Sequence, residues 1–276
     1  MTHFLRAFLL AAAFVAVGIQ PARALEFSGN FVQGGLVTGK VMPGTKLTLD
    51  GKSVAVAPDG SFIIGFGRDA KAKAVLHTEP PEGLPETQEL KIEKRKYKIQ
   101  RIDGLPERKV SPTKPEDLAR IRKDQAMIAE VRKRTTLKTF FDTGFMWPVQ
   151  GPISGVFGSQ RILNGKPRSP HNGVDVAAPR GTPVMAMGDG VVALVEQNMF
   201  FTGKTVMIDH GLGLTSVYVH MDMITVSDGE FVTKGMQIGT VGATGRVTGP
   251  HLHWGVSWFK THLDPALLVG PQPSGE

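Results

Sequence analysis

Gly190-Val-Val-Ala-Leu-Val195, Lys204-Thr-Val-Met-Ile-Asp209 and Leu214-Thr-Ser-Val-Tyr-Val219 follow one another with glycine-containing breaks between them. Each run is short and rich in β-branched side chains, which fit a pleated, half-buried surface better than a helix. The same texture appears upstream in Pro183-Val-Met-Ala-Met187. Downstream it returns in Gln237-Ile-Gly-Thr-Val241 and His253-Trp-Gly-Val-Ser257. It begins near Phe145, where glycine becomes frequent, and no long amphipathic helical pattern interrupts it. The second half of the chain therefore reads as an antiparallel, mostly β domain with tight turns.

Ahead of it lies a connector. Pro106, Pro112 and Pro115 punctuate its start, and Pro115-Glu116-Asp117 places a proline and two acids where a helix begins. Leu118, Ile121, Ile128 and Val131 recur near helical spacing, and Arg132-Lys133-Arg134 suits the negative end of the helix dipole. Further upstream, turn signals recur at Gly34-Gly35, Pro43-Gly44, Asp50-Gly51 and Pro58-Asp59-Gly60. Asp50-Gly51 between the alternating runs Lys46–Asp50 and Lys52–Val56 is a hairpin signal, and the spacing suits a sandwich-like module. Lys91-Ile-Glu-Lys-Arg-Lys-Tyr-Lys98 is basic and reads as a solvated strand face rather than a nucleic-acid patch. His77 is isolated and gets no site role.

Residues 1–24 have the pattern of a secretory signal peptide: Arg6, the apolar run Phe8 to Ile19, and an A-x-A cleavage site at Ala22-Arg23-Ala24. The run has twelve residues, short of the ~20 that span a bilayer. An exported protein, periplasmic or secreted, without stable membrane insertion after cleavage, is expected. The chain is mildly basic, at +7, which favours anionic partners. It has no cysteine, so disulfides, thiol catalysis, cysteine-held zinc and a lipidated N-terminal cysteine are excluded. Any metal must be held by His, Asp or Glu.

Four of the eight histidines fall into patterns that suit such a metal: His171-Asn-Gly-Val-Asp175, Tyr218-Val-His220 and His251-Leu-His253. On a strand, His251 and His253 share a face. His171 and Asp175 stand four apart, which also allows a shared face. A catalytic zinc takes about three protein ligands and leaves one position for water. The five candidates His171, Asp175, His220, His251 and His253 thus give three ligands and two groups for proton transfer and charge stabilisation.

The context around these residues is specific. Thr244-Gly-Arg-Val-Thr-Gly-Pro-His-Leu-His253 and His171-Asn-Gly-Val-Asp-Val-Ala-Ala-Pro179 closely resemble the signatures of the lysostaphin/LytM-type zinc metallopeptidases. Ser154-Gly-Val-Phe-Gly158, Gly181-Thr-Pro-Val184, Asp189-Gly-Val-Val192, Asp209-His-Gly211, Thr215 to His220, Lys234-Gly235 and Gly242-Ala-Thr-Gly245 follow in that family's order. The resemblance covers roughly residues 147–265. It implies that His171, Asp175 and His253 hold Zn2+, and that His220 and His251 bind or activate the water and stabilise the oxyanion. It further implies an antiparallel β-core with an open groove, acting on the peptide stems or cross-bridges of peptidoglycan. His210 is read as structural, and His262 gets no role. Arg246-Val247 departs from the family, where small hydroxyl residues are frequent, and Gly255 stands where an acid is common.

The expected architecture is mainly β. Residues 25–105 form a small β-sandwich-like module, 106–146 a linker with a helix, and 147–270 a zinc metallopeptidase domain built on an antiparallel sheet. The expected activity is that of an exported zinc endopeptidase of peptidoglycan, with no nucleic-acid partner. A non-catalytic wall-binding scaffold or amidase activator, its groove blocked by Thr135–Gln150 or Gln160–Ser169, is the alternative, and a carboxypeptidase or amidase on the same polymer a third possibility.

Overall fold

The three runs that open the second half of the chain form the centre of a ten-stranded sheet. In the computed structural model, which describes residues 25–273, they are the strands Gly190–Met199, Gly203–Gly211 and Leu214–Ile224. The signal peptide expected at 1–24 lies outside the described residues. Across the sheet the order is Phe231–Val232, Gly190–Met199, Gly203–Gly211, Leu214–Ile224, His251–Trp258, Val174–Ala177 and Ile153–Gly155. Pro183–Met185 pairs with Gln237–Val241, which also pairs with Leu214–Ile224, and Thr261–Leu263 pairs with His251–Trp258. Every pairing in this sheet is antiparallel.

The period of two sorts side chains between faces. On His251–Trp258, Leu252, Trp254 and Val256 turn into the core, while His251 and His253 turn to the other side. Trp254 meets Trp147 edge to face at 5.5 Å, among Val176, Ile208, Leu214 and Tyr218. Full burial of side chains this size contributes about 1.5–3 kcal/mol each, so the register that carries the two histidines outward is held by the core behind them. His210 is buried here, its Nδ1 2.6 Å from the Asp189 carbonyl and its Nε2 2.8 Å from Ser216 Oγ. That is the structural use expected of it. Among the described residues no helix is long and apolar enough to cross a membrane.

The N-terminal part is two small sheets packed face to face. One holds Glu26–Gly29, Leu36–Lys40 and Ser61–Gly65; the other holds Lys52–Val54, Lys46–Leu49, Lys73–Glu79 and Glu86–Lys91. Val37, Leu47, Phe62, Ile64, Leu76 and Leu90 fill the space between. The Asp50-Gly51 hairpin forms, both residues taking positive φ (49° and 76°) as a tight hairpin turn requires. The module is docked on the large sheet: Arg95 pairs with Asp264 at 2.8 Å, and Arg68 Nε donates to the Gly158 carbonyl at 2.6 Å.

Two sequence expectations change. The basic stretch 91–98 is not a strand face. Only Lys91 belongs to a strand, and the rest is an extended link. Its lysines are exposed, but Arg95 turns in to Asp264, and Tyr97 lies beneath the guanidinium of Arg68 at 4.5 Å. The helix expected from Pro115 runs Pro115–Val131, with Ile121 and Val131 buried, but it stops before Arg132-Lys133-Arg134. The basic trio therefore follows the last turn instead of occupying it.

After the link, Ile99–Ile102 runs parallel to Gln160–Leu163, with Ile99 opposite Gln160 and Ile102 opposite Leu163. Asn164 closes this pairing by bonding both the N–H and the carbonyl of Leu105. The segment 99–105 is thereby fixed along one side of the face that carries the histidines.

Candidate metal centre

Asp175 and His253 lie directly opposite each other on neighbouring strands. Side chains so placed share a face, with Cβ atoms about 4.5–5.5 Å apart. His253 Nδ1 is 2.6 Å from Asp175 Oδ1. His171 comes from the loop just ahead of Val174–Ala177, where its N–H donates to the Ser159 carbonyl and its own carbonyl accepts from Gly158 N–H. Its Nε2 stands 3.0 Å from the same Asp175 oxygen and 2.9 Å from His253 Nδ1. Three donor atoms thus converge on one point.

The proton inventory suits that point to a cation. His171 Nδ1 is 3.1 Å from the Val156 carbonyl, which can only accept, so Nδ1 carries the hydrogen and Nε2 presents a lone pair. That lone pair faces a carboxylate oxygen and another imidazole nitrogen. Such a set needs a hydrogen on His253 Nδ1 or a cation between its members. Two imidazole nitrogens and one carboxylate oxygen are zinc-type donors, and tetrahedral ligands at ~2.0–2.1 Å stand about 3.3 Å apart, against 2.6, 2.9 and 3.0 Å here. The residues fit the metal.

Electrostatics point the same way. His171 is fully buried, and burial pushes its imidazole down to about 4, against the opposing pull of Asp175. Burial alone would raise Asp175, but the imidazoles of His171 and His253 against it hold it well below the usual carboxylate range. Arg161 Nη2 lies 3.2 Å from its second oxygen, Oδ2. His171 and Asp175 therefore favour the unprotonated forms that metal binding needs.

His220 and His251 complete the face. His220 Nδ1 is 2.7 Å from the Thr244 carbonyl and His251 Nδ1 is 2.9 Å from the Gly249 carbonyl. Both hydrogens are spent on backbone, so both Nε2 atoms are lone pairs. The rings stand 4.9 Å apart, and that of His220 is 6.3 Å from His253. His220 owes its place to a bulge. Between Tyr218 and Met221 its strand has one residue more than the partner strand, and His220 takes a positive φ of 65°. A bulge re-aims a side chain that regular alternation would direct elsewhere. Burial, with His251 and His253 close by, pushes the His220 imidazole far below the ordinary histidine range.

These groups floor a cleft of about 480 Å3, whose walls include Arg101, Asp103, Arg161, Phe201, Arg246 and Thr248. Thr135–Gln150 does not line it, and from Gln160–Ser169 only Arg161 and Leu163 do. Sequence reasoning missed the wall from Gln100–Leu105 and missed Arg161. The first is a parallel pairing between distant segments. The second was visible only as one basic residue in a loop flanking the histidine motif.

Gly155 shows how tightly the floor is built. A Cβ there would lie 2.4 Å from Asp175 Oδ2 and 3.0 Å from His171 Cε1. Gly155→Ala is therefore expected to displace the carboxylate and weaken zinc binding at least ~10-fold, the lower end of what disturbing a ligand's support costs. A competitive chelator titration checks this, and unchanged affinity would show that the carboxylate can move freely.

Residues 169–265 match the family model for Peptidase family M23. A solved structure from Pseudomonas aeruginosa, assigned to peptidase M23, superposes with a TM-score of 0.68 at 31% identity, covering 87% of this chain and 95% of that one. The chain belongs to peptidase family M23. Among its relatives, peptidoglycan DD-endopeptidase ShyA of Vibrio cholerae is 49% identical over 86 residues, 31% of this chain and 20% of that protein. Cell division protein DipM of Caulobacter vibrioides is 35% identical over 127 residues, 46% of this chain and 20% of that protein. The chain thus spans about a fifth of the length of these two relatives. The match takes in His171, Asp175, His220, His251 and His253, but not the N-terminal module.

Proposed function

We propose that this M23 protein is an exported, zinc-dependent endopeptidase that hydrolyses peptide bonds in peptidoglycan stems or cross-links. The observation that carries the proposal is the convergence of His171 Nε2, His253 Nδ1 and Asp175 Oδ1 within 3.0 Å of one another, beneath two imidazoles whose Nε2 lone pairs belong to the same cleft. Export rests on the leader pattern of residues 1–24, and the substrate class on the names of the relatives.

In this reading His171, Asp175 and His253 hold the ion, and Arg161 keeps the second oxygen of Asp175 from turning. When bound, the ion would polarise the scissile carbonyl and bring the pKa of water toward ~7. His220, buried and costly to charge, holds the attacking water through its Nε2 lone pair. His251 is only partly buried and takes the proton at Nε2, with Nδ1 anchored on the Gly249 carbonyl. The resulting imidazolium delivers that proton to the leaving amine.

The protein purified from Leu25 onward should carry about one zinc per chain. It should release peptide fragments from sacculi, and mass analysis of digested muropeptides should show a cut peptide bond with the glycan intact. Intact sacculi and muropeptides after incubation with the zinc-loaded protein would favour the scaffold alternative.

A further inference from the structure

The cleft carries an arginine that the chemistry above does not use. Arg246 sits on the loop between the strands Gln237–Val241 and His251–Trp258. Two residues before it, Thr244 anchors His220; five residues after it comes His251. Its backbone N–H donates to the Phe201 carbonyl at 2.8 Å, and its guanidinium lies over the Phe201 ring at 4.6 Å. One nitrogen, Nη1, donates to the Lys109 carbonyl at 3.3 Å. A guanidinium has five N–H groups, and among the described residues most of these have no protein acceptor.

Nor does the surrounding charge account for it. Among the described residues Arg246 has no acidic partner; the charges acting on it are Arg161 and Arg168, both repulsive. The acids lining the cleft are Asp175, already flanked by His171, His253 and Arg161, and Asp103, exposed at the rim. Arg161 also leaves its buried Nε without a partner. Burial, with the two neighbouring guanidinium groups, lowers Arg246 to about 10. Desolvating a cation without a counter-charge costs folding free energy. A planar fork stacked on an aromatic ring is, however, already ordered to receive a carboxylate by two parallel hydrogen bonds.

We propose that Arg246 is a specificity residue whose guanidinium binds a free carboxylate carried by the substrate peptide close to the scissile bond. The inference rests on the endopeptidase reading and narrows it to acidic peptides. In a cross-link whose amine comes from a diamino acid, the amine-side residue keeps a carboxylate of its own, which gives Arg246 a partner. A polyglycine bridge offers none.

The metal itself attracts carboxylates, so the test separates the two. Cross-linked peptides ending in a carboxylate or in the matching carboxamide are titrated into the protein calorimetrically, with zinc bound and after chelation. They are then assayed for cleavage. The carboxylate form should bind at least about tenfold more tightly in both states, the selectivity that one charge-assisted pair supplies. Arg246→Gln should bring the ratio near one, and Arg246→Lys should restore part of it. Zinc content and circular dichroism of the variants establish that they are folded and loaded. Equal binding of the two forms by the wild type, or a ratio that survives Arg246→Gln, overturns the proposal. A preference that disappears on chelation does so too, because it then belongs to the ion. If both forms are cleaved equally, only this inference falls. If neither is bound or cleaved, the endopeptidase reading falls and this one with it.

Discussion

His171→Ala should lose zinc and activity together. The imidazole is fully buried, and its Nε2 supplies one of only three converging donors. Removing a partner that merely orients a metal ligand costs 10–100-fold in affinity or activity, so removing a ligand must cost more. The remaining pair, Asp175 and His253, are already bonded to each other at 2.6 Å, and Asp175 keeps Arg161 as a second partner. Turnover should fall by about 10³–10⁵, since the polarisation lost is worth several kcal/mol. The Val156 carbonyl also loses its donor, a net hydrogen bond of about 0.5–1.5 kcal/mol to the metal-free fold. Zinc content after dialysis and the melting temperature with and without added zinc check this result. A ligand that binds only the native state raises stability by mass action. The wild type should therefore melt higher with zinc, and the variant should not respond. A variant that keeps one zinc per chain and its turnover would remove His171 from the ligand set.

How much of this could be read in the sequence depended on distance along the chain. His251 and His253 fall on one face because a strand repeats every two residues, and Leu252 and Trp254 mark the other face as core. The hairpin at Asp50-Gly51 was equally local. The opposition of Asp175 and His253 was not, since it depends on the register between strands 78 residues apart, and no nearby pattern fixes that. His220 stood out as a histidine in a strand, yet regular alternation does not account for its position. The bulge that re-aims it contains Val219-His220-Met221, with no glycine to announce a positive φ. The basic stretch 91–98 misled for a related reason: its charge pattern suits a wet strand, but Asp264, which captures Arg95, lies far along the chain. The wall from Gln100–Leu105 and the ion pair of Arg161 were hidden in the same way.

His251→Ala and His220→Ala should do the opposite of His171→Ala, keeping zinc and losing turnover. Neither ring belongs to the converging set, and each is fixed by a backbone carbonyl rather than by a ligand: His220 by Thr244 and His251 by Gly249. Loss of a positioned acid or base typically costs 10²–10⁴ in rate. The larger loss is expected for His251, which is partly exposed, whereas His220 is buried beside two other imidazoles and is costly to charge. The double variant is the more telling experiment. If one ring holds the water and the other takes its proton, the two act on a single event, and each is of little use without the other. The pair of changes should then cost little more than His251→Ala alone, not the product of the two losses. Single-turnover rates on a defined cross-linked peptide, with zinc content measured on the same samples, decide it. Losses that multiply would mean that the rings serve separate steps. A loss of zinc in either variant would mean that the metal set extends beyond His171, Asp175 and His253.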